Sequence, residues 1–285
     1  MNVIVSHDVD HITAWEHSRD LILPKHVARN LIECGLGRIS PGEAARRFRD
    51  IVRNRWNNIA DLMEFDRDKG VPSAFFFGVR NGLGLSYTLD DAKLWMDRVA
   101  SGGFAIGVHG IAFERPEDIR REHDVFAAAT GLGSFGIRMH YLRRNAATLA
   151  NLEKTGYSFD STLHGLESPF KVGGMWEFPL HIMDGDIMCG NGRWQDRTLE
   201  QAMDATKAVL DAAADRGIEY FTVLLHDRYF SESFRTWKRW YAWAIDFLKG
   251  SGCRFVGYDE AVRELEKGAL PTGRAPDRAS QKDWR

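Results

Sequence analysis

Residues Asn2–His11 read NVIVSHDVDH, an apolar run that ends in four ionisable side chains within five residues: His7, Asp8, Asp10 and His11. On a strand alternate side chains share a face, so Asp8 and Asp10 point one way while His7, Val9 and His11 point the other. Two carboxylates so close repel each other. A fold keeps them together when a cation lies between them or when one is tuned for proton transfer. The other reading of so short a motif is a solvated strand end closed by an Asx turn. What the rest of the chain brings beside this strand decides between the two.

Further β-rich runs follow: SAFFFGV from Ser73, FAIGVH from Phe104, GIRMHYL from Gly136, EYFTVLLH from Glu219 and CRFVGY from Cys253. They are almost continuously apolar, as parallel strands covered on both faces are. Helix signatures alternate with them. Thr88 caps LDDAKLWMDRVA, Pro116 opens PEDIRREHDVFAAA, and TLEQAMDATKAVLDAAADRG runs to a stop at Gly217. Repeated β-α order predicts an α/β fold, either a parallel barrel or a doubly wound sheet. Residues 12–70 are helical in pattern and rich in Arg and Trp, so a helical insertion is expected after the first strand. Residues 1–265 are expected to form one domain, and the polar segment 266–285 a flexible tail. Phe234, Trp237, Tyr241, Ala244 and Leu248 repeat at helical spacing and read as a core stripe rather than a ligand box.

Composition bounds the function. The 285 residues carry a net charge of −2, which gives no electrostatic reason to expect nucleic acid as a partner. Cys34, Cys189 and Cys253 are too few and too scattered for a disulfide framework or a paired-cysteine metal site. A reducing, cytoplasmic setting is therefore expected, with no leader and no transmembrane segment.

The informative polar residues stand where the strands end. NVIVS leads into Asp8 and Asp10, FAIGV into His109, GI into Arg138 and His140, YSF into Asp160, and FTVLL into His226. A single histidine after an apolar run is commonly a hydrogen-bonded structural residue. In a parallel barrel, however, the C-terminal strand ends meet at one mouth, where active sites are built. Five strand-end groups of acid, imidazole and guanidinium would then face one another.

These motifs, in this order, resemble those of the polysaccharide deacetylases, the NodB-homology or carbohydrate esterase family 4 group, over roughly Met1 to Tyr258. Asp8-Val-Asp10 resembles the first motif, Gly107-Val-His109-Gly the second and Arg138-Met-His140-Tyr141-Leu142 the third. Tyr157-Ser-Phe-Asp160-Ser161 resembles the fourth and Leu224-Leu-His226-Asp227 the fifth. The HYL sequence is similar to a branch that includes proteins of surface-polysaccharide and O-antigen assembly. The resemblance implies a distorted, TIM-like (β/α) barrel and hydrolysis of an N-acetyl group on an amino sugar or polysaccharide precursor.

It also implies roles. Asp8 is the catalytic base, Arg138 its partner, and Asp10 and His109 ligands of a divalent metal, with zinc the expected ion. The Tyr141 N–H helps hold the oxyanion, and His226 is the general acid, with Asp160 expected to fix its tautomer and raise its pKa. One position departs from the pattern: Phe113 stands where the second motif usually supplies another histidine ligand. His140, two residues beyond Arg138 and so on the same face of a strand, is taken as the replacement. Alternatively it orients substrate or water, or is a structural histidine, or the metal is weakly held or absent. A carbohydrate-binding or assembly protein that lost the metal is the second functional reading. A metal-independent cyclic-amide hydrolase of allantoinase type is the third, and the intact Asp8/Asp10 pair argues against it. Trp176, Glu177 and Trp194 are expected either to form a sugar platform or to be buried in the core.

Overall fold

The computed structural model describes residues 1–190, 192 and 194–268. The strands are β1 (Asn2–Val9), β2 (Ala74–Phe77), β3 (Ala105–Gly110), β4 (Ile137–Met139), β5 (Phe159–Asp160), β6 (Phe170–Val172), β7 (Met175–Glu177), β8 (Ile182–Met183), β9 (Tyr220–Leu224) and β10 (Arg254–Phe255). The helices are α1 (Ile22–Gly35), α2 (Pro41–Val52), α3 (Ile59–Lys69), α4 (Leu89–Ser101), α5 (Pro116–Thr130), α6 (Thr148–Thr155), α7 (Asp184–Cys189), α8 (Leu199–Asp215), α9 (Arg235–Gly250) and α10 (Tyr258–Gly268).

The sheet runs β6-β7-β5-β4-β3-β2-β1-β9-β8, and β10 pairs with the start of β1. All neighbours are parallel except the β6–β7 pair. A further parallel bridge from His164 to Leu180 ties the segment after β5 to the one before β8, so the curled sheet nearly closes on itself. This is the expected distorted (β/α) barrel. Between β1 and β2 the chain makes three helices, α1 to α3, where a barrel crossover needs one. Buried Arg47 of α2 ties that helix to α1 by an ion pair to Glu33 (2.5 Å) and pairs within α2 with Glu43 (3.0 Å). Of the expected tail, residues 266–268 end α10 and residues 269–285 lie outside the described residues.

Alternation along the strands sorts two cores. Val3, Val5, Phe75, Phe77, Val108, Ile137, Phe221 and Val223 face outward into the helical layer, where they meet α9 through buried Trp237, Trp240, Tyr241, Ala244 and Leu248. The stripe on α9 is thus core. The inner face carries Ile4, Phe76, Phe159, Trp176, Phe178, Tyr220 and Tyr258. Here Phe159 stacks on Tyr258 at 4.2 Å. Two glycines make room for this aromatic floor: a Cβ at Gly107 would meet the Phe76 ring at 2.7 Å, and one at Gly136 would meet the Phe159 ring at 2.2 Å. Along the inner face of β1 the residues then run Ile4, Ser6, Asp8, Asp10, from apolar floor to ionised mouth. His7, on the outer face, bonds Asp66 of α3 at 2.8 Å.

Candidate active site

The lowest polar layer is built on Arg138 of β4, whose guanidinium lies 4.7 Å over the Phe76 ring. All five of its N–H groups are used. Nε donates to the Ser161 carbonyl (3.0 Å). Nη1 donates to Ser6 Oγ (2.9 Å) and Asp8 Oδ1 (3.0 Å), and Nη2 to Ser161 Oγ and Tyr258 OH (2.9 Å each). Asp8 is only 2% exposed. Burial pushes its carboxyl up, but the Arg138 charge, helped by His109 and His226, outweighs burial and lowers it below the usual range. The result is an ionised carboxylate held in one orientation at the base of the mouth.

Above it three acceptors converge. His109 Nδ1 lies 3.1 Å from the Arg138 carbonyl and His140 Nε2 3.1 Å from the Leu83 carbonyl, so each ring spends its N–H on the backbone. That leaves His109 Nε2 and His140 Nδ1 facing each other at 2.9 Å, with Asp10 Oδ1 at 3.2 and 3.3 Å from them. Asp10 Oδ1 is buried and has no hydrogen-bond partner among the described residues. Burial disfavours its charge, yet the neighbouring imidazoles of His140, His109 and His226 hold the carboxyl well below its usual value. Three lone pairs pointed at one another repel unless a cation sits among them. Donors about 2.0–2.2 Å from a tetrahedral ion stand about 3.3 Å apart, so the spacing fits a divalent metal. Imidazoles whose second nitrogen is fixed by a carbonyl are also the usual form of metal-binding histidine. Asp10, His109 and His140 are the residues that would hold it.

His140 reaches this place by a different route from the one expected. Strand β4 stops at Met139, and His140 opens a tight turn in which Tyr141 and Leu142 have φ of 56° and 51°. Tyr141 is 60% exposed at the rim, its ring 4.0 Å from that of His140. At Phe113, the position that departs from the family pattern, the ring packs under the Arg143 guanidinium at 4.4 Å and points no ligand at the site.

His226 follows β9, with Nε2 3.7 Å from Asp10 Oδ2. Its partner is not Asp160. Asp184, at the start of α7 and fully buried, accepts from the His226 backbone N–H at 2.7 Å and from Nδ1 at 2.9 Å. Desolvation lowers the His226 pKa, but Asp184, then Asp10 and Asp8, raise it well above the ordinary value. The expected Asp160 role is thereby corrected: Asp160 accepts from Thr162 Oγ1 at 2.6 Å and lies beside buried Glu177, whose own carboxyl is pushed well up by burial and by Asp160. Sequence reasoning missed Asp184 because it follows a two-residue strand inside a loop-rich stretch; the signal available was an acid directly after the short apolar pair Ile182–Met183. Trp176 and Glu177 are core residues at 6% and 0% exposure rather than a sugar platform.

Comparison with known proteins agrees with this arrangement at the level of the fold. Over 98% of this chain and 94% of theirs, the chain superposes on a Mycobacterium smegmatis protein described as a polysaccharide deacetylase, with TM-score 0.67 and 17% identity. A Pseudomonas aeruginosa PAO1 protein of the same description gives TM-score 0.64 at 13% identity, over 93% and 91% of the two chains. The chain has the polysaccharide deacetylase fold. The Puue allantoinase structure shares it, with TM-score 0.62, 11% identity and coverage of 93% and 90%. No protein-family profile and no curated protein matches the sequence. Within that fold the mouth of this chain gathers Asp8, Asp10, His109, Arg138, His140 and His226, and leaves Asp160 with Thr162 and Glu177. Among the described residues no helix is long and apolar enough to cross a membrane.

Proposed function

We propose that this protein is a metal-dependent N-deacetylase that hydrolyses the acetamide of an amino sugar in a surface polysaccharide or its precursor, as in O-antigen assembly, and releases acetate. The observation that carries this reading is the convergence of His109 Nε2 and His140 Nδ1, whose other ring nitrogens face backbone carbonyls, on the orphaned Asp10 Oδ1, directly above Asp8. Asp10, His109 and His140 would hold the ion, with zinc expected, and it would supply Lewis-acid polarisation of the acetyl carbonyl and lower the pKa of a nearby water toward about 7. Asp8 takes the proton of the attacking water, a contribution of about 10²–10⁴-fold. Arg138 keeps Asp8 charged and aimed. The Tyr141 N–H, presented by its left-handed turn, donates to the developing oxyanion. His226, kept protonated by Asp184, gives its proton to the leaving nitrogen, which departs poorly as an anion. The three unpaired cysteines fit action on a precursor in a reducing compartment.

The allantoinase of the same fold favours a second reading, hydrolysis of a cyclic amide. One experiment separates them: acetate release from N-acetylated amino-sugar oligomers, measured for the wild type and Asp8→Asn, with metal content determined on both. The deacetylase reading expects acetate release by the wild type, loss of at least about 10²-fold in Asp8→Asn, and equal metal content. Wild-type turnover of cyclic ureides without acetate release from any amino sugar would reject it.

A further inference from the structure

A second group of ligand atoms lies in the loop that follows β1 and takes no part in the chemistry above. His11 Nδ1 is 2.8 Å from His17 Nε2, and Glu16 Oε1 is 3.1 Å from His17 Nε2 and 4.0 Å from His11 Nδ1. The cluster has the same construction as the first. His17 spends Nδ1–H on Asp20 Oδ2 at 2.7 Å, so its Nε2 lone pair faces His11 Nδ1 and the Glu16 carboxylate. Asp20 is itself pinned by the Ile22 N–H at 2.8 Å and by Ser86 Oγ at 2.9 Å. Glu16 is fixed as firmly, since Oε2 accepts from the Thr13 N–H at 2.8 Å and Oε1, which accepts from the Ile12 N–H at 3.2 Å, also faces the imidazoles. His17 is 1% exposed and His11 9%, and both rings pack on Trp56 at 5.3 and 5.2 Å.

The charges are unbalanced. Glu16 and Asp20 make no ion pair with any Lys or Arg among the described residues. The neighbouring guanidinium of Arg228 stacks on Trp56 at 4.1 Å and reaches His26 instead. Two carboxylates therefore surround a pair of imidazoles with no Lys or Arg paired to either, and Arg228 acts only from a distance, disfavouring a proton on His11. A carboxylate behind a histidine is the outer-shell arrangement that orients imidazole ligands and raises their basicity.

We infer that His11, Glu16 and His17 form a second divalent-cation site, separate from the one at Asp10, His109 and His140. Two imidazoles and one carboxylate suit zinc or another late first-row ion. The ion would tie the loop after β1 to the rim of the mouth, and because His11 is bonded to Asp10 it would brace the carboxylate of the first site. Neither residue set depends on the other for ligands, so the two sites are separable by mutation.

The test uses the full chain, stripped by chelator, equilibrated with zinc alone, dialysed and analysed for metal per chain. The wild type is expected to hold about two equivalents. His17→Gln and Glu16→Gln are each expected to hold about one, and the double variant Asp10→Asn/His109→Gln also about one. Glu16→Gln keeps an acceptor for the Thr13 N–H, so it carries the comparison should His17→Gln fail to fold, as judged by circular dichroism. Cobalt(II) titration of the same proteins reads the occupied set through its visible absorption. About two equivalents retained in both loop variants would overturn the inference. So would about one equivalent in the wild type that the loop variants keep and the Asp10/His109 variant loses, a result that leaves the proposed function standing. About one equivalent lost in the loop variants but kept in Asp10→Asn/His109→Gln upholds this site and rejects the metal of the proposed function.

Discussion

Replacing Arg138 by Met tests whether the guanidinium keeps the base charged. Arg138 is 0% exposed, and its five N–H groups meet the Ser161 carbonyl, Ser6 Oγ, Asp8 Oδ1, Ser161 Oγ and Tyr258 OH at 2.9–3.0 Å. Methionine keeps the apolar contact with Phe76 and leaves little cavity, so the loss is mostly electrostatic. It strands the Asp8 carboxylate in a site where only 2% of the residue sees solvent. Removing one partner of such a pair costs about 3–5 kcal/mol, against a total stability of about 5–15 kcal/mol. The double variant Asp8→Asn/Arg138→Met removes the stranded charge and is expected to recover about 2 kcal/mol of that, a coupling that only residues in contact show. Urea-unfolding midpoints followed by circular dichroism for the wild type, both single variants and the double variant measure this without any substrate. A cost below about 1 kcal/mol for Arg138→Met, or strict additivity of the two substitutions, would refute the claim that this pair sets the state of Asp8.

Two other perturbations follow from the same geometry. In Asp184→Asn the amide turns a donor toward His226 Nδ1, so the imidazolium loses its support; turnover is expected to fall by about 10²–10⁴-fold with metal content unchanged, and a rate within a few-fold of wild type would remove His226 from the role of acid. Glu122 accepts from the Ile111 and Ala112 N–H groups, but burial pushes its carboxyl up to about 7 from 4.5. A carboxyl raised on folding favours the folded state fully below pH 4.5 and loses that contribution as pH rises to about 7. The wild type should therefore lose about 3 kcal/mol relative to Glu122→Gln across that window. A difference between the two proteins that does not change with pH would contradict it.

Much of the site was legible because strand alternation is a strict rule. Placing Asp8 and Asp10 on one face of β1 and His7 on the other follows from period two alone, and the inner-face run Ile4, Ser6, Asp8, Asp10 is its consequence. The apolar runs gave β1 to β4, β9 and β10, and the cap at Thr88 and the stop at Gly217 gave α4 and α8. What failed did so where tertiary contacts outrank local pattern. Strands β5 to β8 are two or three residues long and carry no periodicity to read, so the carboxylate behind His226 was assigned to Asp160 rather than Asp184. His140 arrived beside His109 through a left-handed turn that nothing in HYL announces, since Tyr and Leu rarely adopt that backbone. For Trp176 and Glu177 the sequence carries no depth and leaves platform and core both open; the inner aromatic floor takes the ring, and Asp160 lies beside the buried acid.

The central claim is that a divalent ion belongs among Asp10, His109 and His140. Crystals of the protein equilibrated with zinc, with diffraction recorded on either side of the zinc absorption edge, address it directly. The expected result is an anomalous peak about 2.0–2.2 Å from Asp10 Oδ1, His109 Nε2 and His140 Nδ1. Those three atoms found in place with no anomalous density between them would contradict it.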